Sequence, residues 1–584
     1  VPDDTVDSMR KPISLLFAFA VLQAALLMSH AAEAGVPPGE YAEGEALVLM
    51  EAPASHAQAD AAAYRSALKA SADALAGSLG AEVASIYESI AATTGVSIVH
   101  IRRDGLDTGE LLAILDGMPG VLGSSPNYVS HASRTPNDPL LNSLWGMSSS
   151  RAIEAWDLST GASGVIVAVL DTGIDRGHED LSVNVTRDKD GEWGLDAINK
   201  DRDPMDDNGH GTHVAGIIGA AGDNGRGVVG VNWSVGLLGV KVLNAAGQGY
   251  ESQIIAGLDY VVEQKRRGLD IRVANMSLTG WRQPIASPEG SPYGVACKAV
   301  SDAGIVLVVA AGNEGQNLDL PEKYYDWQKM EWVDLRGLRA YPACFSFDNM
   351  VTVGSMASDW EPSSFSNRSP NFVHLAAPGS DIISTLPGNR YDKDSGTSMA
   401  SPHVAGAAAL IAAKHPRKSA ADIKARILGN VILNGNWTGR VLSGGFLNIA
   451  AAVRAPDPKV PVRSLEASPA SLSMSGRTSA DVAVSMKPAN ASDGRLLWFS
   501  DNPSVATVEP TEAGAVISSL SDGRATIKAF ALGGGVFAKI PVVVKNAGPA
   551  VLGDTGGCLV SESIGPGALL LLAALWPLLK RARR

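Results

Sequence analysis

Apolar and polar positions along the 584-residue chain fall into three regimes. Between Glu45 and about Ser133, the runs EALVLM and VSIVHIRR read as strands. AAAYRSALKASADALAGSL and TGELLAILDGM repeat their apolar residues at helical spacing, so this segment is expected to form a small α/β unit. From RTPNDPLLNSLWGM to roughly Val453, short β-branched runs alternate with Ala-rich helical stretches, the pattern of a parallel sheet flanked by helices. The runs GVIVAVLD, VGLLGVKVL, IRVANMSL and GIVLVVAAGN are apolar throughout, as strands covered on both faces should be. Past the Pro-rich RAPDPKVPVRS, residues 462–546 alternate with period two between Gly, Asn, Asp and Pro turns, which predicts a small β-sandwich.

Charge narrows the partners. With 61 acidic against 48 basic residues, the net charge is −13, and no basic run occurs before the C-terminal tip. That argues against a nucleic-acid partner, which needs clustered positive charge. Three cysteines, Cys297, Cys344 and Cys558, are too few for a disulfide scaffold and lack zinc spacing. Cys297 and Cys344 are either bridged or two buried thiols.

Both ends carry address signals. Met9-Arg10-Lys11, the apolar run after it and the small-residue tripeptide Ala32-Glu33-Ala34 have the layout of a signal peptide over residues 9–34. A membrane anchor is the alternative. At the other end, residues 554–584 join Gly-Gly-Cys, a short apolar stretch from Ile564 to Leu579 and a basic tip. The stretch is slightly short for a full span, and the basic tip would stay in the cytoplasm. The layout resembles bacterial C-terminal sorting signals, with a plain tail anchor as the alternative. Either reading puts the bulk of the protein outside the cytoplasm, at the cell surface or beyond.

Chemistry concentrates in the middle regime. In YDKDSGTSMASPHVAG, Ser398 stands between a Gly-Thr turn and a small-residue helix, with Pro402 expected in the first turn, where a missing N–H is tolerated. A serine hydroxyl needs a neighbouring base, and the base needs an orienting partner. VIVAVLDTGID places Asp171 at the C-terminal end of an apolar strand, where open parallel sheets carry their sites. DDNGHGTHVAGIIGAAG places His210 at the start of another helix. The neighbouring histidines His178, His213 and His403 are expected to be structural.

Four motifs together, VLDTGID, HGTHVAG, AAGNEG and GTSMASPHVAG, resemble the subtilisin-like serine proteases, in chain order Asp, His, Ser. The likeness covers residues 135–453. It implies that Ser398 attacks the scissile carbonyl, that His210 moves the proton and that Asp171 orients His210. Asn313 and the Ser398 N–H would form the oxyanion hole. The edge strand Ser277, Leu278, Thr279 and Gly280, facing Ala310, Ala311 and Gly312, would line the specificity pocket, with Gly247 and Gly249 on the second edge. An extended peptide would pair between the two edges. The stretch 315–341 is longer than the family's loop; an acid in it, such as Asp319 or Glu322, would favour basic substrates, and a surface flap is the alternative.

The same resemblance implies calcium, with two candidate ligand sets. Asp180 and Asn224, joined by Asp138, form one, and Asp201, Asp203, Asp206 and Asp207 the other. Residues 45–133 resemble the family's propeptide, of α+β ferredoxin-like fold, a partner that inhibits until it is cut near HASRTPND. LLWFSDNPSVATV and DGRATIKAF, in residues 462–546, resemble bacterial Ig-like modules of group 2, expected here as a passive spacer after a linker at 454–461. The fold class expected is thus α/β, with a parallel-sheet catalytic domain between these two smaller units. The activity expected is peptide-bond hydrolysis by a secreted or surface-anchored endopeptidase. The alternatives are a processing protease of narrow range and a binding protein on an inert protease fold.

Overall fold

The computed structural model describes residues 41–53, 61–129, 134–285, 287–326 and 329–549. They form two compact units that divide after Ala132. The segments read as signal peptide and C-terminal sorting signal lie outside the described residues. Among the described residues no helix is long and apolar enough to cross a membrane.

In the first unit, four antiparallel strands lie in the order Glu82–Ile86, Val96–Arg102, Tyr41–Glu51, Val121–Tyr128. Helix Ala61–Leu79 buries Leu68, Ala72, Leu75, Ala76 and Leu79, positions three or four apart that share one face. Ala72, Leu75, Ala76 and Leu79 join Leu111 and Leu115 of helix Thr108–Leu115 over Val48, Val99 and Ile101 of the sheet. Asp107 caps the second helix by accepting from the Gly109 and Glu110 N–H groups. Strand order and helix placement are those of a ferredoxin-like unit, with one added short helix, Glu88–Thr94.

The second unit is built on a nine-stranded sheet. From edge to edge it runs Ile432–Leu433, Gly445–Phe446, Leu375–Pro378, Met350–Met356, Val306–Ala310, Ile271–Met276, Gly161–Asp171, Ser234–Lys241 and Gly194–Asp196. All neighbours pair parallel except Ile432–Leu433. Alternate residues of one strand feed opposite cores. Val165, Val167 and Val169 pack on one side, with helix Thr397–Lys414, while Ile166, Ala168 and Leu170 pack on the other, with Leu258 and Val261 of helix Glu251–Arg266. The chain leaves Gly161–Asp171 for strands on one side of it and then returns to Ile271–Met276 on the other. This reversal opens a crevice at the C-terminal strand ends, the place such sheets bind ligands. Asp171 stands there.

Residues 464–545 form two four-stranded sheets closed around Val482, Trp498, Ile517, Ile527 and Ile540. This sandwich packs directly against the catalytic domain. Phe499 and Phe530 are buried in the same core as Ile423 and Ile427 of helix Ala420–Gly429. Polar ties flank them: Lys539 pairs with Asp348 at 2.8 Å, the Ser500 N–H donates to the Asn371 side chain at 2.9 Å, and Arg495 donates to the Gly429 carbonyl at 3.0 Å. Apolar aromatics that would be exposed on a free module drive the docking. Cys297 and Cys344 are both buried and unbridged. Burial lifts both thiols, Cys344 to about 12, so they behave as core side chains.

Candidate active site

Helix Thr397–Lys414 is buried almost all round on one face of the sheet. Its first turn faces a cleft of about 520 Å³ shared by Ser398, Thr397, His210 and Asn313. Pro402 lies in the second turn, not the first as expected. Proline there removes the N–H that would reach the carbonyl four residues back, and that carbonyl belongs to Ser398. The Ser277 hydroxyl fills the gap, donating to the Ser398 carbonyl at 2.9 Å. Ser277 is also 2.8 Å from the Ser401 hydroxyl. Its side chain therefore braces the helix from below, while its residue lines the cleft.

His210 opens helix His210–Gly219. Its Nδ1 meets Asp171 Oδ1 at 2.7 Å, and Asp171 is wholly buried. The loop before His210 is wired to the strand end: Asp206 accepts from the Thr172 and Thr212 hydroxyls and from the Asn208, Gly209 and Thr212 N–H groups. Gly211 permits this closeness, since a Cβ there would sit 2.1 Å from the Gly173 carbonyl oxygen. Burial opposes a charge on the His210 ring, but Asp171, then Asp394 and Asp206, overcome it and lift the imidazole to about 9.

Ser398 does not hydrogen-bond His210 in this state. Its hydroxyl donates to the Ser277 carbonyl at 3.2 Å.

Asn313 is oriented by chemistry alone. Its Oδ1 accepts from the Thr397 N–H at 2.8 Å and the Thr397 hydroxyl at 2.9 Å, so its Nδ2 must face the other way. The Met399 and Ala400 N–H groups fold back to the Gly396 carbonyl, and the Ser398 N–H has no acceptor among the described residues. A Cβ on Gly396 would lie 3.4 Å from Asn313 Nδ2 and 3.5 Å from the Ser398 nitrogen. The two donors therefore flank one small cradle, which glycine keeps open.

Leu278, Thr279, Gly280, Ala310, Gly247 and Gly249 line the cleft. Ala311 and Gly312 do not. The Ala311 carbonyl accepts from Asn367, and Gly312, at φ +100°, is packed against Asn367, Glu314 and Thr279 behind the wall. Nor do Asp319 and Glu322 reach it. Asp319 is held between the Ser369 hydroxyl and the Asn371 amide, and burial raises its carboxyl. The long loop instead forms a hairpin, Lys323–Asp326 with Glu331–Asp334, and then a strand, Arg339–Tyr341, that pairs with Gly280–Arg282 on the cleft wall. Sequence reasoning missed Glu251, Arg282, Glu314, Tyr293 and Tyr341, which also line it. Glu251 and Arg282, each two residues past an expected edge glycine, and Glu314, inside AAGNEG, carried a positional signal; Tyr293 and Tyr341 carried none.

The three other histidines are ties within the fold. His178 meets the Arg390 carbonyl and accepts from the Asp180 N–H, His213 meets the Asp392 carbonyl, and His403 the Met399 carbonyl.

The acidic loop before His210 is no cation cradle. Asp206 is consumed by its own chain, Asp207 pairs with buried Lys241, Asp203 with Arg176, and Asp201 caps the Asp203 N–H. Among the described residues no group of three or more His, Cys, Asp or Glu side chains converges as a metal site. Asp138, Asp180 and Asn224 differ. Asp138 Oδ2 accepts from the Asp223 N–H, but its Oδ1 is buried without a partner. Burial raises this carboxyl, and the nearby Asp180 charge adds to that, against hydrogen bonds from Asp223 and Asn224. Asn224 donates to Asp180 at 2.9 Å. An orphaned carboxylate oxygen beside a second carboxylate fits a hard cation with oxygen ligands.

A doubly wound parallel sheet with serine, histidine and an amide donor on one crevice, and a carboxylate behind the histidine, defines an α/β serine hydrolase. Residues 162–451 match the model of the subtilase family, and residues 461–543 that of the bacterial Ig-like domain, group 2. Thermitase of Thermoactinomyces vulgaris is 35% identical over 321 residues, which cover 55% of this chain and 99% of thermitase. Subtilisin DY of Bacillus licheniformis is 37% identical over 296 residues, 50% of this chain and 91% of that protein. The thermophilic serine proteinase of Bacillus sp. strain AK1 is 35% identical over 320 residues, 54% and 70% respectively. The chain belongs to the subtilase family and is a serine endopeptidase carrying a group 2 Ig-like domain.

Proposed function

We propose that Ser398, His210 and Asp171 hydrolyse peptide bonds through an acyl-enzyme, with Asn313 and the Ser398 N–H as oxyanion donors. The observation that carries this reading is the pair of donors flanking the open space at Gly396, beside Ser398. The reaction begins when His210 loses its proton. The Ser398 hydroxyl then swings from the Ser277 carbonyl to His210 Nε2, which takes its proton as Oγ bonds the scissile carbon. The carbonyl oxygen, now negative, accepts from both donors. His210 returns the proton to the leaving amine, and a water molecule, activated in the same way, releases the acid product.

Residues 45–133 act as an inhibitory propeptide that Ser398 removes, and the chain is exported by the signal at 9–34 and held at the surface through 554–584. The catalytic domain spans 135–453 and the Ig-like domain 462–546. Calcium, held by Asp138, Asp180 and Asn224, supplies structural stability and no chemistry. A narrower processing role is the second reading, favoured by the extra strand Arg339–Tyr341 on the cleft wall.

Casein incubated with the purified protein and with Ser398→Ala tests this. Cleavage by the first alone supports it; equal cleavage by both ends it. Cleavage of one native partner but not casein would establish the processing role.

A further inference from the structure

Two parts of the fold that supply no group to the chemistry, the long stretch 315–341 and the Ig-like domain, meet behind the cleft wall. Hydrogen bonds join them in sequence. The Ser500 N–H of the Ig-like domain donates to Asn371 Oδ1 at 2.9 Å, and Asn371 Nδ2 donates to Asp319 Oδ2 at 2.9 Å. The Asp319 carbonyl accepts from Arg339 Nη1 at 3.0 Å, and the Leu318 carbonyl accepts from the same nitrogen. Arg339 Nη2 lies 3.5 Å from the Ser504 hydroxyl, a second link to the Ig-like domain. Arg339 is 9% exposed, with its guanidinium 5.5 Å over the ring of Phe372, the neighbour of Asn371. It begins the strand Arg339–Tyr341, which pairs residue by residue with Arg282, Trp281 and Gly280 of the cleft wall. The Tyr341 hydroxyl accepts from the Ile285 N–H at 2.9 Å, just past the wall strand, and Tyr341 itself lines the cleft.

What these bonds control follows from where the wall strand lies. Ser277 touches Ser398, and Gly280 is three residues on. At about 3.4 Å per extended residue, Gly280 stands roughly 10 Å along the peptide path. Only a substrate that extends about three residues from the scissile bond pairs with it. Gly280–Arg282 has a single partner strand, Arg339–Tyr341. A two-stranded pair this short does not hold its own place. Arg339 ties it to Leu318 and Asp319, and Asn371, using both ends of its amide, ties Asp319 to the Ig-like domain. The far end is anchored in turn, because Phe499, beside Ser500, is buried in the catalytic core. Ser398, His210 and Asn313 make their bonds elsewhere, to Ser277, Asp171 and Thr397.

We propose that the Ig-like domain, through Asn371 and Arg339 as positioning residues, holds the cleft wall in the place that extended substrates require. This rests on the protease reading above. The domain thereby sets how well a long peptide binds and leaves the bond-breaking groups untouched.

Two substrates separate wall from chemistry on the full-length active protein. One is a quenched peptide with five residues on each side of the bond; the other is an ester of one N-acetylated amino acid, too short to reach Gly280. Rates are counted per serine labelled by a fluorophosphonate, so misfolded protein drops out. In Asn371→Ala, kcat/KM for the peptide should fall roughly fivefold through KM, the worth of one hydrogen bond, with the ester unchanged. Arg339→Lys, which keeps the charge and loses the guanidinium fork, should do the same. Arg495→Met, which removes the interdomain bond to Gly429, should change neither rate. Equal losses on both substrates, no peptide loss in Asn371→Ala and Arg339→Lys, or a matching peptide loss in Arg495→Met would overturn the positioning role and leave the protease reading standing. A wild type that cleaves neither substrate overturns the protease reading and the positioning role with it.

Discussion

A histidine lifted to about 9 by Asp171, against the pull of its own burial, is charged at neutral pH and cannot yet accept a proton. Activity should therefore rise with pH. Below the pKa each unit of pH costs about tenfold in the neutral form, so kcat/KM is expected to climb through pH 7 and 8 and level off near 9. An acid limb centred at or below 6.5 would contradict the pairing. The effect on stability has the opposite sense. A histidine whose pKa is raised on folding stabilises fully below 6.5, and that contribution fades as pH rises through about 9. The oxyanion cradle makes a second residue-scale prediction. Gly396→Ala puts a methyl group between the two donors, and turnover should fall roughly 10²–10³-fold, as when a donor is lost, with KM much less affected. Loss confined to KM would place the oxyanion elsewhere. Ser398, His210 and Asn313 were legible in the sequence because each sits in a short motif with its own small residues. Tyr341 and Tyr293 were not, because their relation to the cleft depends on a strand pairing and a ring packing between residues far apart in sequence.

Elements explain the corrections. The run of aspartates at 201–207 reads as a cation loop because sequence reports charge density but not direction. Folded, each carboxylate turns to a different partner: Arg176, Lys241, or the N–H and hydroxyl groups of the histidine loop. Pro402 was misplaced for a related reason, since the helix start is fixed by Asn313 binding the Thr397 N–H and not by the proline. Helix Ala420–Gly429 carries a burden that no motif announces. Lys424, on its face towards the Ig-like domain, is buried with its Nζ 3.1 Å from His374 Nε2 and over the rings of Phe530 and Phe537. His374 Nδ1 accepts the Thr352 N–H at 2.9 Å, so the neutral ring carries its hydrogen on Nε2. A hydrogen bond from that atom needs a lone pair, so the contact favours Lys424 as the uncharged amine. Burial, then the Lys528 charge, against Asp348, brings Lys424 down to about 7 from an ordinary 10.5. Between those values the unfolded chain binds the extra proton, so stability rises with pH by about 1.4 kcal/mol per unit from this group. Lys424→Met should thus be more stable than wild type at pH 7 and lose that advantage by pH 10, read by chemical denaturation. A constant difference across this range would contradict the neutral amine.

At the scale of the whole molecule, layer order and the three regimes were legible, because apolar runs buried on both faces and period-two alternation are local signals. Docking was not. Phe499 and Phe530 read as ordinary sandwich residues in the sequence, and only the fold puts them in the catalytic core. The two domains should consequently melt together, and Phe530→Ala, which empties a wholly buried site, should lower that common stability by roughly 3–5 kcal/mol. Two separate transitions in the wild type would contradict the shared core. Excess chelator is expected to lower the melting temperature, and Asp138→Asn to reduce that response; an unchanged melt would remove calcium from the account. The claim on which the rest depends is that Ser398 is the nucleophile, activated by His210. A fluorophosphonate probe followed by peptide mapping tests it most directly. One phosphonylated residue is expected, Ser398, with labelling lost in Ser398→Ala and slowed by orders of magnitude in His210→Ala. Labelling of another residue, or equal labelling of all three proteins, would contradict it.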